Sequence, residues 1–459
     1  FYTDRSGRGR VSSSVNRVAM QARSLLRTST LRSLALARST RGGAGVAPSV
    51  AQQDLIDLGL RHGAHNYHPL PVVLHKGEGV FLWDIDGKRY YDFLSAYSAV
   101  NQGHCHPRIV RAMTEQVQTL TLTSRAFVND QYPAFCKYMT ELFKYDRVLP
   151  MNSGVEAGET AIKLTRRWAY RVKKVQSNSC SILFASKNFW GRSIAAVSSS
   201  SDPESYHDYG PYTPGFRLIE YDDIPQLEEA LEADPNVGGV YLEPIQGEAG
   251  VRVPAEDYLQ KVAALCKKHN VLLICDEVQT GLCRTGKMLC SEHYGVRPDI
   301  VVLGKALSGG MMPVSAVLAD SEVMLTMGPG SHGSTFGGSP LACRVAMESL
   351  QVLRDEKLDE NAMALGEVFR GELTRQLGSL PWVQQIRGKG LLNAVVVDPA
   401  FAEKVTAWDI CMRMRDAGLL AKPTQDNIIR FAPPLVINAA QMSEALEVIV
   451  NAFLASEKS

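Results

Sequence analysis

The chain is 459 residues long and 45% hydrophobic, enough apolar material for a large core and too much chain for one simple domain. Its formal net charge is +1, but residues 1–50 hold nine arginines, no lysine and one acid, Asp4, so the remainder sets 40 basic against 47 acidic side chains. No apolar run approaches the length that crosses a bilayer, and nine cysteines without CxxC or paired CxxxH spacing argue against a disulfide framework and a zinc site, so neither a membrane, a nucleic acid nor a metal is expected as partner.

The first segment, 1–48, is Arg-rich, Ser-rich and acid-poor, with intermittently amphipathic stretches at Met20–Arg27 and Leu31–Arg38. That is the composition of a mitochondrial presequence, and it predicts the mitochondrial matrix; a basic arm on a cytoplasmic protein is the alternative. After the linker-like Gly42–Pro48, Val80–Asp84 and Arg89–Phe93 read as two strands joined at Asp86-Gly87, a hairpin signal. From Ser95 to Leu341, the strand-like runs Ser181–Ala185, Gly239–Leu242, Val271–Cys275 and Ile300–Leu303 alternate with helical segments, among them Ala157–Lys173. Alternation at this spacing predicts an α/β domain with a mainly parallel central sheet flanked by helices. Beyond Ala342 a long helical pattern leads to the run Gly388–Val397, a helix at Trp408–Ala417 and a strand at Ile428–Phe431.

Lys305 is the most informative residue, because it closes the apolar run Ile300–Leu303 just before the turn-rich Ala306–Gly310. Burying an amine costs several kcal/mol unless it is paired or reacts, so such a lysine either snorkels to water or performs chemistry. Upstream, Val271–Cys275 ends in Asp276-Glu277 in the same way. Residues just past the carboxyl ends of parallel strands share one crevice, so Asp276 and Lys305 are expected to face a common ligand. A structural ion pair would satisfy the two equally well. A third piece, Met151-Asn152-Ser153-Gly154-Val155-Glu156-Ala157, runs a Ser-Gly turn into a helix, whose free N–H groups and dipole favour a phosphate, although an ordinary cap looks the same.

These pieces recur in order with Asn101-Gln102-Gly103-His104-Cys105-His106-Pro107, Asn188-Phe189-Trp190-Gly191-Arg192, Glu243-Pro244-Ile245-Gln246-Gly247-Glu248, Asp276-Glu277-Val278-Gln279-Thr280-Gly281 and Gly304-Lys305-Ala306-Leu307. Together they resemble the fold-type I, class III pyridoxal phosphate-dependent aminotransferases, from about Asp54 to the C-terminus. The resemblance implies a large cofactor domain, 96–341, and a smaller α+β domain assembled from 49–95 and 342–459. It implies pyridoxal 5'-phosphate as cofactor, with Lys305 binding its aldehyde covalently and then moving the substrate proton. Asp276 would hold the ring nitrogen protonated, Gln279 would bond the ring hydroxyl, Phe189 would stack on the ring, and Gly154 and Val155 would give N–H groups to the phosphate. Ser334 and Thr335 would reach the phosphate of a second subunit, which implies a homodimer or higher homo-oligomer. The pair His104 and His106 is implied to be a structural turn.

Four further stretches, Gly63–Pro71, Tyr97–Val100, Gly333–Gly338 and Ile429–Pro434, resemble more narrowly the members of the class that take the δ-amine of L-ornithine. That implies L-ornithine, 2-oxoglutarate and glutamate as the small molecules handled. Arg430 would bind the α-carboxylate of glutamate or 2-oxoglutarate, and Glu248 would cover Arg430 while ornithine is bound. Arg192 and Tyr67 would then hold the ornithine α-carboxylate further out, with Tyr97 shaping the pocket. N-acetylornithine and 4-aminobutyrate are the alternative substrates within the class, and a noncatalytic homologue is the alternative outside it.

Overall fold

The computed structural model describes residues 46–457. All but the last three residues of the presequence-like segment 1–48 lie outside them.

The apolar runs form the centre of a seven-stranded sheet in the order Arg147–Met151, Ser315–Ala319, Ile300–Leu303, Leu272–Asp276, Val237–Leu242, Ser181–Ala185, Phe216–Ile219. The last five are parallel, and Ser315–Ala319 runs antiparallel to both its neighbours. Every residue of the four strands from Ile300–Leu303 to Ser181–Ala185 is buried, as a parallel sheet covered on both faces requires. Alternate side chains feed separate cores: Leu183, Val240, Leu273 and Cys275 join one, while Ile182, Tyr241, Ile274 and Val302 join the other.

The helix expected from Ala157 begins at Gly154, because Ser153 and Glu156 form a reciprocal capping box. It stays α-helical to Trp168 and widens into a π-helical turn over Ala169–Lys173. The run Gly388–Val397 is broken by Gly390 at φ +55° into the antiparallel pair Val383–Lys389 and Leu392–Val397. A Cβ on Gly390 would lie 2.4 Å from the carbonyl carbon of Thr285, so this turn presses directly on the loop after Asp276.

The hairpin Phe81–Asp84 with Arg89–Asp92 forms as expected, and Leu419–Leu420 adds to it in parallel beside Tyr91 and Asp92. A further sheet pairs Leu392–Val397, Ile428–Phe431 and Lys422–Thr424. Arg284, fully buried, joins these parts: it donates to the carbonyls of Leu391 at 3.0 Å and Pro433 at 2.6 Å, and to Asn101 Oδ1 at 2.6 Å. His104 pairs with Asp92 at 2.7 Å and His106 with Glu356 at 2.9 Å, so both imidazoles of the early motif serve packing contacts. Among the described residues, no helix is long and apolar enough to cross a membrane.

Candidate active site

Asp276 and Val302 are partners across adjacent parallel strands, which brings Asp276 and Lys305 to the same sheet edge. Lys305 opens a short 3-10 turn with φ +42°, a backbone conformation that non-glycine residues seldom adopt and that clusters at functional sites. Burial lowers its proton affinity, while Glu248 and Asp276 partly restore it. Asp276 is 3% exposed and accepts from the Tyr241 hydroxyl at 2.7 Å and the Val278 N–H at 3.0 Å. Burial nevertheless raises its carboxyl above the usual range. An anion so placed is suited to receive a cationic N–H.

At the start of the helix Gly154–Trp168, the capping box uses the N–H groups of Ser153 and Glu156. Those of Gly154 and Val155 meet no acceptor among the described residues and stay open to an anion. The cradle is closely walled: Cβ atoms on Gly154 and Gly304 would lie 3.2 Å and 3.3 Å from Val278, and one on Gly191 would lie 2.4 Å from Val155. The turn at Ser153–Val155, the Lys305 turn and the Phe189–Arg192 loop are thus packed on one another. Asn152 donates to Ser334 Oγ at 2.9 Å, bringing the Ser334 loop beside this turn, while Thr335 is exposed.

On the other side lies a three-membered cluster. The Arg430 guanidinium, with 2% of its side chain exposed, meets Glu248 Oε1 at 2.9 Å and Gln279 Oε1 at 2.9 Å, and Gln279 Nε2 donates to the same Glu248 oxygen at 3.2 Å. Burial would raise Glu248, but Arg430 outweighs it and holds the carboxyl below its ordinary value. Tyr97, at φ +61°, lies with its ring 4.7 Å from the Arg430 guanidinium carbon. Gln279, expected at a cofactor hydroxyl, also bonds both members of the ion pair. Arg192 is exposed and packs 5.6 Å from the Phe189 ring. Tyr67 is 73% exposed and lies within electrostatic reach of Tyr97.

Three residues of this region had no role assigned from the sequence, although Val278 and Glu243 lie within its motifs. Tyr241 bonds Asp276, Val278 fills the space between Gly154 and Gly304, and Glu243 sits buried at the end of the strand beside that of Asp276. Burial, then Asp276, pushes the Glu243 carboxyl up to about 8, against the pull of N–H donors from Phe189 and Gly247. The rule that found Asp276 and Lys305, a charged residue ending an apolar strand, also picks out Glu243 after Val237–Leu242.

A buried lysine, an anion for a ring nitrogen, an aromatic face and two open N–H groups together fit pyridoxal phosphate. The comparisons agree with that chemistry. The family model described as aminotransferase class-III matches residues 62–453. The mitochondrial ornithine aminotransferase of Drosophila melanogaster is 60% identical over 391 residues, 85% of this chain and 89% of its own. The crystal structure of the ornithine aminotransferase from Toxoplasma gondii ME49 superposes with a TM-score of 0.87 at 50% identity, covering 89% of this chain and 96% of that one. The acetylornithine aminotransferase from Elizabethkingia anophelis superposes with a TM-score of 0.81 at 51% identity, covering 88% and 99%. With the family match spanning most of the chain and the same sheet edge carrying the lysine, the chain belongs to the class-III aminotransferases.

Proposed function

We propose that the chain transfers the δ-amino group of L-ornithine to 2-oxoglutarate, giving glutamate and glutamate 5-semialdehyde, which closes spontaneously to pyrroline-5-carboxylate. The observation that carries this reading is the Arg430–Glu248 pair at 2.9 Å, within electrostatic reach of Lys305. A buried guanidinium is the natural seat of an α-carboxylate. With Glu248 on it, the α-carboxylate of a diamino acid is turned away and its distal amine is left to enter. Arg192 and Tyr67 take that carboxylate further out, and Tyr97 holds the pocket between them. When 2-oxoglutarate follows, its α-carboxylate displaces Glu248 from Arg430.

Pyridoxal phosphate, when bound, supplies a protonated ring that withdraws electrons from the carbon next to the transferred nitrogen. Lys305 would hold its aldehyde, Asp276 its ring nitrogen, Gln279 its ring hydroxyl, Phe189 its face, and the N–H groups of Gly154 and Val155 its phosphate. Lys305 Nζ then carries the proton between carbons, a task that suits an amine whose proton affinity burial has lowered. Ser334 and Thr335 complete the phosphate site of a neighbouring copy in a homodimer, with the exposed Thr335 having the freer reach. The large cofactor domain is 96–341, and 49–95 with 342–459 forms the small one. The Arg-rich segment 1–48 and the name of the Drosophila relative support the mitochondrial matrix.

Absorbance of the holoenzyme tests the reading: L-ornithine should bleach the lysine-bound cofactor band and 2-oxoglutarate should restore it. A faster response to N-acetylornithine, which the Elizabethkingia relative's name makes the second reading, would overturn the substrate and leave the family intact.

A further inference from the structure

Glu243 is 4% exposed and has no part in the chemistry described above. Its two oxygens serve two different loops. Oε1 accepts the backbone N–H of Phe189 at 3.0 Å, and Oε2 accepts that of Gly247 at 3.2 Å. The first loop carries the aromatic ring that faces the cofactor, together with Arg192. The second carries Glu248, the residue next to Gly247. Neither amide has another acceptor among the described residues. Gly247 is also hemmed in by Gln279, since a Cβ there would lie 2.1 Å from Gln279 Oε1. The Glu248 segment is therefore held by both Glu243 and Gln279.

We propose that Glu243 is a positioning residue that seats the Phe189 ring against the cofactor and the Glu248 carboxylate on Arg430 at the same time. Amine selection and cofactor retention then depend on one buried carboxyl group. The inference rests on the reading of Glu248 as the cover of Arg430. A carboxyl group presents two oxygens, each with a lone pair for one of these N–H groups, whereas an amide offers one oxygen and turns an NH2 group toward the second N–H. Glu243→Gln keeps the volume and the burial but leaves one buried amide facing a donor, a defect worth roughly tenfold in whichever property that loop controls.

The experiment compares the parent enzyme, Glu243→Gln and Glu248→Ala. Pyridoxal phosphate affinity of each apoprotein is read by fluorescence quenching, and single-turnover rates of each holoenzyme are read with L-ornithine and with L-glutamate. Glu243→Gln should weaken pyridoxal phosphate binding and lower the ornithine-to-glutamate ratio in the direction of Glu248→Ala, each by roughly tenfold. A merely structural role would slow both amines together and leave the ratio where it was, which overturns the proposal. If Glu248→Ala itself leaves the ratio unmoved, the cover reading fails, and the amine-selection half of the inference goes with it. Should Glu243→Gln not fold, hydrogen exchange on the parent decides: the amides of Phe189 and Gly247 should be protected to the level of the adjoining strand Val237–Leu242. Fast exchange at Gly247 would overturn the proposal.

Discussion

Glu248→Ala isolates the ion pair on which the proposed substrate choice turns. In the parent structure the Arg430 guanidinium meets one carboxylate and one neutral amide oxygen, with only 2% of its side chain exposed. Removing the anion leaves a buried cation bonded to Gln279 alone. Breaking such a pair costs about 3–5 kcal/mol when both partners are fully buried. The Glu248 side chain is 26% exposed, so solvent screens part of the attraction, and we take about 2–3 kcal/mol. A substrate α-carboxylate arriving at Arg430 recovers that energy, so the preference for L-glutamate over L-ornithine should rise about 30- to 160-fold. Ornithine itself should be drawn inward by its α-carboxylate and present the wrong amine. Stopped-flow absorbance of the two half-reactions under single-turnover conditions measures the ratio. A shift smaller than about fivefold, below about 1 kcal/mol, would mean that Arg430 is not the seat of the competing carboxylate.

Other perturbations probe separate parts of the site. Lys305→Ala should reduce turnover by about four orders of magnitude or more while the apoprotein melts no lower than the parent, because a desolvated amine has been removed; turnover within tenfold of the parent would end its assignment. Gly247→Ala should drive a methyl group into Gln279, whose Oε1 lies 2.1 Å from the new Cβ, and should lower the ornithine-to-glutamate ratio with little change in melting temperature. Arg284→Met should strip donors from the carbonyls of Leu391 and Pro433 and from Asn101, costing about 3–5 kcal/mol in denaturant unfolding. Glu243, held up to about 8 from an ordinary 4.5, binds a proton in the native apoprotein that the unfolded chain has released. Its stabilising contribution is therefore present in acid and declines as pH rises from 4.5 to about 8, so denaturant unfolding of Glu243→Gln across that window should show a flatter decline than the parent.

The parts of the site that were legible in sequence are those fixed by local rules. Asp276 and Lys305 could be found because a parallel strand buried on both faces is written as an unbroken apolar run, so the charged residue that ends it stands out. The helix start at Gly154 was displaced by three residues because Ser153 and Glu156 complete a capping box, a pattern that the apolar periodicity alone does not register. What stayed hidden is non-local. Glu243 reaches Phe189 across 54 positions, Arg430 reaches Gln279 across 151, and Arg284 reaches Asn101 across 183. No periodicity encodes such partners, since the packing of two loops or two sheets decides them. Gln279 shows the same limit within a recognisable motif: its position was readable, while its bond to the Arg430–Glu248 pair was not.

The charges at the sheet edge explain why the site suits a cationic ring. Glu243, Asp276 and Lys305 follow or end three strands that are neighbours in the sheet, Val237–Leu242, Leu272–Asp276 and Ile300–Leu303. Glu248 is already matched by Arg430, and its carboxyl is held low accordingly. Glu243 and Asp276 are both raised, Glu243 partly by Asp276 itself, and the nearby Lys305 has its own proton affinity reduced by burial. Two carboxyl groups pushed upward beside a weakened ammonium mark a place short of positive charge. A protonated ring nitrogen set against Asp276, as proposed, would supply that charge where desolvation makes it count most. It would lower both carboxyl groups together, so cofactor binding should be coupled to their ionisation. A buried ion pair such as Arg430–Glu248 is poor evidence for stability. Beside this electrostatic deficit, the role proposed for it is to decide which end of a substrate approaches Lys305.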